Sequence, residues 1–364
     1  MPDERTCTIG ATRQDPDVRL PKHWLLEWLT YVVVRLSVCV IQTLHIDTVA
    51  WLARGLALVV HDVFRIRMRV TEENIAHAFP RLCREEQHRM ARQMWEHMVV
   101  MVAEIAQASR KIHDTNWRNH LEMSPEVRRQ FVSRLLDPRP LIVVTGHHGN
   151  FEIGGLVLGL LGFPTFTVAR PFDNRYIGRF VNKFRGAYGQ YILSKYGSAK
   201  LIAVALEKGH VLGVLGDQDG GARGGCVVDF FGRPAACHKS IALFSLTADA
   251  PMLVTYTMRD RQPLRFKIGI MGVVDPANKD DPRVQGVSPL TQWYSSQLEQ
   301  AIRIAPEQYW WMHDRWKEYC GQRRHRPKKI HSSTKTRTDH PAAADLNVVP
   351  HVHSDGRLEK NHRG

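Results

Sequence analysis

The chain has 364 residues, a formal net charge of +14 and 43% hydrophobic residues. This length and composition fit one large α/β domain of about 250–300 residues with extensions. The basic balance suits anionic partners such as phosphate-bearing lipids, membrane surfaces, nucleic acid or an acidic carrier protein. The six cysteines are scattered and form no C-x-x-C pair, so they indicate neither a zinc site nor a disulfide framework, and a reducing, cytoplasmic-side environment fits them.

The N-terminal part of the sequence is polar at first and then strongly apolar. Residues 1–20 are polar, with Pro2, Pro16 and scattered charges, and are expected to form a disordered leader. We expect no signal peptide there, because no apolar core with a small-residue cleavage site follows a basic start. We interpret residues 21–62 as a membrane-associated helical region. Trp24–Leu44 is long enough to span a bilayer, but Glu27 and Arg35 interrupt it, and a second apolar segment, Val49–Val60, follows. The alternatives are one marginal span, two helices in the membrane interface, or a buried helical hairpin of a soluble protein.

Residues 63–320 are expected to form one α/β domain. Its start, Phe64–Val70, alternates arginine with apolar residues, which is typical either of an amphipathic connector or of a contact with anionic headgroups. From Leu141 onward, short apolar runs alternate with helical patterns, which predicts a mostly parallel or mixed sheet covered by helices on both faces. The predicted strands are Leu141–Val144, Pro164–Ala169, Tyr191–Leu193, His210–Leu215, Pro251–Met258 and Arg265–Ile270, and apolar character also resumes at Val227–Phe231. The predicted helices are Arg84–Lys111, one starting at Phe151, Asp173–Tyr188, Ala199–Lys208, His238–Ala248, Leu290–Ile304 and Pro306–Tyr319. The basic residues 321–364 lack periodicity and are expected to be disordered.

The stretch LIVVTGHHGNFEIGG, residues 141–155, joins a buried strand to a helix that Asn150 can cap. Its turn carries His147, His148 and Glu152, and His147 and Glu152 stand in the pattern H-x-x-x-x-E. Across such a turn the carboxylate can fold back onto the imidazole. A neutral imidazole can then take a proton from an alcohol that attacks an acyl carbonyl, and the amides of the helix start can face the developing oxyanion. The alternative is two histidines in a polar loop before a helix.

Other candidate residues follow later strands. Arg170 can bind a phosphate or a thioester-bearing cofactor, or be a surface arginine held by Asp173. Asp217 and Asp219 on a glycine-rich loop can position an acceptor or pair with Arg170 or Arg223, or simply form a turn. Together with Asn150, these residues are the predicted substrate-binding set.

Several catalytic motifs are absent from the sequence. It has no G-x-S-x-G element, which argues against an α/β hydrolase, and no G-x-x-x-x-G-K-[ST] loop, which argues against phosphate hydrolysis by a P-loop. We expect no metal site and no cofactor.

Five sequence blocks in fixed order resemble the bacterial lipid A biosynthesis acyltransferases, the late lauroyl/myristoyl transferases, which are related to the phosphatidylinositol mannoside acyltransferases. The blocks are GHHGNFE, ARPFDN, GDQD, DFFG and PEQYWWMHDRWK, and the resemblance covers roughly residues 24–319. It implies a glycerolipid-acyltransferase-like α/β core over residues 63–320, at the cytoplasmic face of the cell inner membrane. It also implies His147 as the general base and Glu152 as its acidic partner. The sequence departs from the family at His148 and in the interrupted apolar segment.

The resemblance implies an acyl thioester donor, carried by acyl-carrier protein or coenzyme A, and a glycolipid hydroxyl acceptor such as a lipid A precursor. One alternative is a glycerophospholipid or mannosyl-lipid acyltransferase, although Asp217–Asp219 stands where glycerophospholipid enzymes typically carry a proline- and glutamate-bearing glycine motif. The other is a non-catalytic basic protein that binds membrane or nucleic acid. No recognisable nucleic-acid module supports that second alternative, and nucleic acid is not an expected partner.

Overall fold

The structure is a computed structural model, and it describes residues 23–316 except residues 188, 196 and 222–224. The expected leader (1–20), the expected tail (321–364) and Arg223 lie outside these residues.

A seven-stranded sheet forms the centre of the described residues, with the strand order β1-β9-β8-β2-β5-β3-β4. Neighbouring strands are parallel except β8 and β9, so the expected mostly parallel sheet is confirmed. A separate antiparallel hairpin consists of β6 and β7. The strands are β1 (Leu121–Met123), β2 (Leu141–Thr145), β3 (Thr165–Ala169), β4 (Gln190–Ser194), β5 (Val211–Leu215), β6 (Gly225–Phe230), β7 (Arg233–His238), β8 (Met252–Arg259) and β9 (Phe266–Val274).

Helices cover both faces of the sheet. They are α1 (Trp24–Thr43), α2 (Ile46–Leu58), α3 (Met68–Ala78), α4 (Arg84–Lys111), α5 (Pro125–Leu135), α6 (Phe151–Leu160), α7 (Arg175–Gly186), α8 (Ala199–Glu207), α9 (Lys239–Thr247) and α10 (Val287–Ile304). The central strand β2 shows why two cores form: Ile142 and Val144 pack with α8, α9 and α10, whereas Leu141 and Val143 pack with α4, α5 and α6. Successive side chains of a strand point to opposite faces, so an apolar run is buried on both.

The N-terminal helices differ in how much they bury. Helix α1 has no buried residue, whereas α2 buries Val49, Ala50, Ala53 and Ala57. Helix α2 continues into a π-helical turn, Val59–Val63, in which the Phe64 N–H donates to the Val59 carbonyl at 3.0 Å. The helices expected in residues 21–62 are therefore present. Because α1 has no buried residue, it does not fit the alternative of a buried helical hairpin.

The prediction of a helix at Pro306–Tyr319 is wrong for residues 306–316, the part of it that the structure describes. A short 3₁₀ turn covers Pro306–Gln308, and residues 309–316 form no helix. The main chain there bonds to other segments: the Trp310 N–H donates to the His147 carbonyl at 3.1 Å, and Asn74 Nδ2 donates to the Trp311 carbonyl at 2.7 Å. The aromatic side chains of this segment pack in a third core with residues of α3, α4 and the β6–β7 hairpin, so their spacing does not mark a helical face.

Candidate active site

Main-chain hydrogen bonds hold the loop after β2 to two neighbouring segments, residues 308–310 and strand β8. The Gly149 N–H donates to the Gln308 carbonyl at 3.0 Å, and the Asn150 N–H donates to the Thr257 carbonyl at 2.7 Å. Gly149 has a φ of +61°, and a Cβ built there would lie 2.0 Å from the Thr257 carbonyl oxygen. Only glycine fits this close approach. The loop therefore holds His147 in one place.

His147 is held by Asp217, which follows β5. Its Nδ1 lies 2.8 Å from Asp217 Oδ1, and its main-chain N–H donates to Asp217 Oδ2 at 2.8 Å. The aspartate is 3% exposed. Burial opposes its ionisation, but the charge of His147 and the hydrogen bonds from its ring and main chain lower the pKa of Asp217 to about 2. An ionised carboxylate only accepts hydrogen bonds, so in the neutral form of the ring Nδ1 carries the proton and Nε2 carries the lone pair.

The register of the sheet explains this pairing. Strands β2 and β5 are adjacent and parallel, and Thr145 is level with Leu215. Each strand is followed by one glycine and then by the site residue, so His147 and Asp217 stand side by side at the carboxyl edge. Ligands of open α/β sheets bind at this edge.

The Nε2 side of His147 faces polar and aromatic groups. The Gln218 amide nitrogen lies 3.1 Å from Nε2, which allows the amide to donate to the lone pair. The rings of Phe151 and Trp310 lie with their centroids 5.1 Å and 4.9 Å from the imidazole. His147 is 8% exposed, so its ring lies mostly inside the protein, between these aromatic side chains, with Gln218 as the polar contact at Nε2.

Glu152 does not occupy the predicted position behind His147. Its carboxylate accepts hydrogen bonds from Arg185, at 3.0 Å from Nε and also from the terminal nitrogen. Glu152 lies in the first turn of α6 and Arg185 in the last turn of α7, positions that the helix dipoles favour for these charges. The predicted contact of Glu152 with His147 is thus corrected: Asp217 takes that place, because Nδ1 faces the neighbouring strand and not the helix start.

His148 faces the protein interior. Its Nε2 donates to the Ala305 carbonyl at 3.0 Å, and burial lowers its pKa to about 4. A neutral, enclosed imidazole already bonded to a carbonyl is poorly placed to meet a substrate. The two adjacent histidines therefore have different surroundings, and only His147 has a carboxylate partner at Nδ1.

Asn150 caps α6 as predicted, with its Oδ1 accepting from the Ile153 N–H at 3.3 Å. Its Nδ2 donates to Glu104 Oε2 at 3.0 Å, and the residue is fully buried. Both ends of the side chain are thus engaged inside the protein. The expectation that Asn150 contacts substrate is corrected to a role in holding the loop.

Arg170 follows β3, whose direction matches that of β2 and β5, so it lies at the expected edge of the sheet. Its guanidinium pairs with Asp173 at 2.9 Å, and its side chain is 67% exposed. Asp219 Oδ1 accepts a hydrogen bond from the Gly221 N–H at 3.0 Å, which fits the turn-forming alternative given for Asp219 in the sequence analysis. The ion-pair partner of Arg170 is therefore Asp173.

A buried ion pair under the loop was not predicted from the sequence. Arg259 donates to both oxygens of Glu104, at 2.6 Å from Nε and 2.8 Å from Nη2. Arg259 Nη1 also lies 2.9 Å from His97 Nδ1, whose ring bonds through Nε2 to the Gly149 carbonyl. Burial and the charge of Arg259 lower the pKa of His97 well below its usual range, so it is neutral. This network ties α4 and β8 to the turn that carries His147.

Residues 309–315, near the end of the described chain, lie beside His147 and Asp217. Arg315 is buried and donates to the Ala236 carbonyl and to Cys237 Sγ, at 2.7 Å and 2.8 Å. Its charge contributes to the low pKa of Asp217. Burial raises the pKa of Tyr309 well above its usual value, and neighbouring Asp217 raises it further. Tyr309, Trp310 and Arg315, three residues of the block PEQYWWMHDRWK, thus lie beside the His147–Asp217 pair.

Comparison with known proteins gives a consistent result. Residues 11–318 match the sequence profile of the bacterial lipid A biosynthesis acyltransferases. The lipid A biosynthesis palmitoleoyltransferase of Escherichia coli K12 is 22% identical over 305 residues, covering 82% of this chain and 92% of that protein. The lipid A biosynthesis lauroyltransferase of the same organism is 24% identical over 296 residues, covering 80% and 92%. Among solved structures, the 1-acyl-sn-glycerophosphate acyltransferase of Thermotoga maritima matches 74% of this chain and 97% of its own at 13% identity, with a TM-score of 0.33.

Proposed function

The chain belongs to the bacterial lipid A biosynthesis acyltransferase family and is an acyltransferase, and from that premise we propose that it moves a fatty acyl chain from an acyl thioester to a hydroxyl group of a membrane glycolipid such as a lipid A precursor. The observation that carries the proposal is the contact between His147 Nδ1 and buried Asp217 at the carboxyl edge of two adjacent parallel strands. Membership of an enzyme family removes the support for a non-catalytic basic protein.

The proposed reaction is direct transfer. Nε2 of His147 takes the proton of the acceptor hydroxyl as its oxygen attacks the thioester carbonyl. Asp217 keeps the proton on Nδ1 and stabilises the imidazolium that forms. When the tetrahedral intermediate collapses, the carbon–sulfur bond breaks, and the imidazolium returns its proton to the departing thiolate. No residue needs to form a covalent acyl intermediate.

Gln218 would act in the same step. In the free enzyme its amide donates to Nε2, the atom that must receive the substrate proton. An incoming hydroxyl replaces that hydrogen bond, and the released amide N–H can then turn to the thioester carbonyl oxygen. The first-turn N–H groups of α6 and its dipole are a second source of stabilisation for the oxyanion.

We place Arg170 and Asp219 at the substrate entrance. Arg170 is exposed at the same sheet edge as His147, and its only fixed partner of those described here is the exposed Asp173. A guanidinium in this setting can exchange that partner for a phosphate of the donor or the acceptor. This assignment, like that of Arg223, remains a prediction.

Membrane attachment is proposed through α1 and α2. Helix α1 is the one described helix that is long and apolar enough to cross a membrane. Its apolar side chains Leu26, Leu29, Val33, Leu36 and Val40 are 47–65% exposed and recur at helical spacing. The charged residues that interrupt α1 turn toward the protein: the Arg35 guanidinium lies 4.6 Å from the Phe180 ring centre, and Glu27 Oε2 is buried. The outer face of α1 is therefore suited to lipid.

The test is the lipid product. Mass spectrometry of membrane glycolipids from cells with and without the protein should show one added acyl chain on a glycolipid when it is present. Purified protein given either acyl-carrier-protein thioester or acyl-coenzyme A then identifies the donor. A change confined to glycerophospholipids would assign the alternative acceptor class, and no lipid change together with no thioester cleavage would overturn the proposal.

A further inference from the structure

A cluster of histidine and carboxylate groups lies outside the active site, where the π-helical turn meets α3 and α4. His61 and Asp62 belong to the turn, and His88 lies near the start of α4. One candidate ligand atom from each of these three residues lies within 4.8 Å of the other two. No local sequence pattern predicts this cluster, because His88 is far from the other two residues along the chain.

The atoms that face each other are those that bind transition metals. His61 Nδ1 lies 2.6 Å from Asp62 Oδ1, and His88 Nε2 lies 3.8 Å from the same oxygen. Imidazole nitrogen and carboxylate oxygen bind Zn²⁺ at about 2.0–2.2 Å, so small rotations of these side chains bring all three within reach of one ion. Asp62 and His88 are 43% and 47% exposed in their side chains and are able to make those rotations.

The surroundings also fit a metal site. His88 Nδ1 lies 3.4 Å from Glu72 Oε1, and a carboxylate behind the second nitrogen orients a metal-binding histidine. His61 is 1% exposed, and its Nε2 has no hydrogen-bond partner among the residues that the structure describes. The hydrogen bond of this buried ring is therefore at Nδ1, on the side of the cluster.

The set of side chains also suits a divalent cation. The Asp62 carboxylate lies beside His61 Nδ1, and the Glu72 carboxylate lies beside the other ring nitrogen of His88. The Arg92 Nε lies 4.0 Å from Asp62 Oδ2. The site thus combines two carboxylates and two imidazoles with one arginine, and imidazole nitrogen and carboxylate oxygen are ligands that divalent transition-metal ions accept.

We propose that His61, Asp62 and His88 bind a divalent transition-metal ion such as Zn²⁺, with Glu72 orienting His88. The ion would join the π-helical turn to α4 directly and to α3 through Glu72. The exposed apolar residues Val63 and Phe64 follow directly after the site. The site would thus be a structural one. It would hold the main chain in place just before the exposed residues Val63 and Phe64, and it is independent of the acyl-transfer chemistry.

The test is zinc binding by the full-length protein after treatment with a chelator. Calorimetric titration with Zn²⁺ should show one site that His88→Gln and Asp62→Asn each weaken by about 10–100-fold or more. Zinc should also raise the melting temperature of the unaltered chain but not of those two variants. His45→Gln is the matched control, since His45 is an exposed histidine 3.4 Å from Asp47 and should leave both results unchanged.

Two results would overturn the site. Zinc affinity and melting shift that survive both His88→Gln and Asp62→Asn would locate the binding elsewhere, for example at the histidines of residues 321–364. Absence of any saturable binding in the folded, unaltered chain would exclude it directly. Both readouts are independent of acyl transfer, so failure of the metal site leaves the proposed enzyme function intact.

Discussion

Replacing Asp217 with asparagine tests the buried carboxylate that contacts His147. The substitution keeps the size of the side chain but removes the acceptor that holds the proton on His147 Nδ1. An asparagine amide can donate to Nδ1, which moves the ring proton to Nε2 and leaves no lone pair for the substrate. Loss of the corresponding aspartate in a serine-protease triad lowers kcat about 10⁴-fold, and a general base contributes about 10²–10⁴-fold. We expect a loss in that range.

The same substitution has a predictable effect on stability. The pKa of Asp217 falls from 3.8 in the unfolded chain to about 2 in the fold, which corresponds to about 2 kcal/mol. Because the folded pKa is the lower one, this contribution is present above about pH 4 and is lost as the pH falls toward 2. Asp217→Asn should therefore lower the free energy of unfolding by up to about 2 kcal/mol at pH 7 and leave a folded protein.

The assay is release of free thiol from an acyl thioester in the presence of acceptor lipid, measured beside circular dichroism and melting temperature. Asp249→Asn is the matched control, because Asp249 is an exposed aspartate paired with Lys279 at 2.7 Å and precedes the amino end of β8, opposite the edge that carries His147. Its rate should stay within about threefold of the unaltered enzyme, as expected outside the proton-transfer pair. A folded Asp217→Asn enzyme that keeps more than about a tenth of its rate would refute the reasoning.

Three further results are expected. Glu152→Gln should lower the melting temperature, since it leaves the partly buried Arg185 charge without its partner. The double variant Glu152→Gln/Arg185→Gln should recover much of that loss. If the two substitutions instead lower the melting temperature additively, Glu152 acts on another group, such as His147. If the Gln218 amide moves to the oxyanion, Gln218→Ala should lower kcat about 10²-fold with little change in KM. A change in kcat below about threefold would show that Gln218 only packs against His147. The protein should fractionate with membranes: alkaline carbonate extracts it if α1 lies in the interface and retains it if α1 spans, whereas an active monomer that is soluble without detergent would contradict the attachment.

The features that sequence reasoning obtained are mostly local. The buried strand before His147, the glycine turn and the Asn150 cap depend on neighbouring residues, and the structure has all three. Alternation of strands and helices was sufficient for a mostly parallel sheet. Ser124 and Pro125 also gave a helix-start signal, for α5, that was not used.

The partner of His147 could not be obtained in the same way. Glu152 is near in sequence, but the identity of the carboxylate depends on which strand lies beside β2. That neighbour is β5, so Asp217 is level with His147 although 70 residues separate them. The equal spacing of strand, glycine and polar residue in both segments was a usable signal once those strands were taken as neighbours. Glu104 and Arg259 had no such signal, because 155 residues separate them and their burial depends on tertiary packing.

The measurement that tests the central claim most directly is the acyl-transfer rate of purified His147→Ala protein, with His148 unchanged and with folding checked by melting temperature. Because His147 has the only Nδ1–carboxylate contact of the two histidines and His148 faces the interior, we predict a loss of about 10²–10⁴-fold. Turnover within about threefold of the unaltered enzyme would contradict the assignment of His147 as the general base.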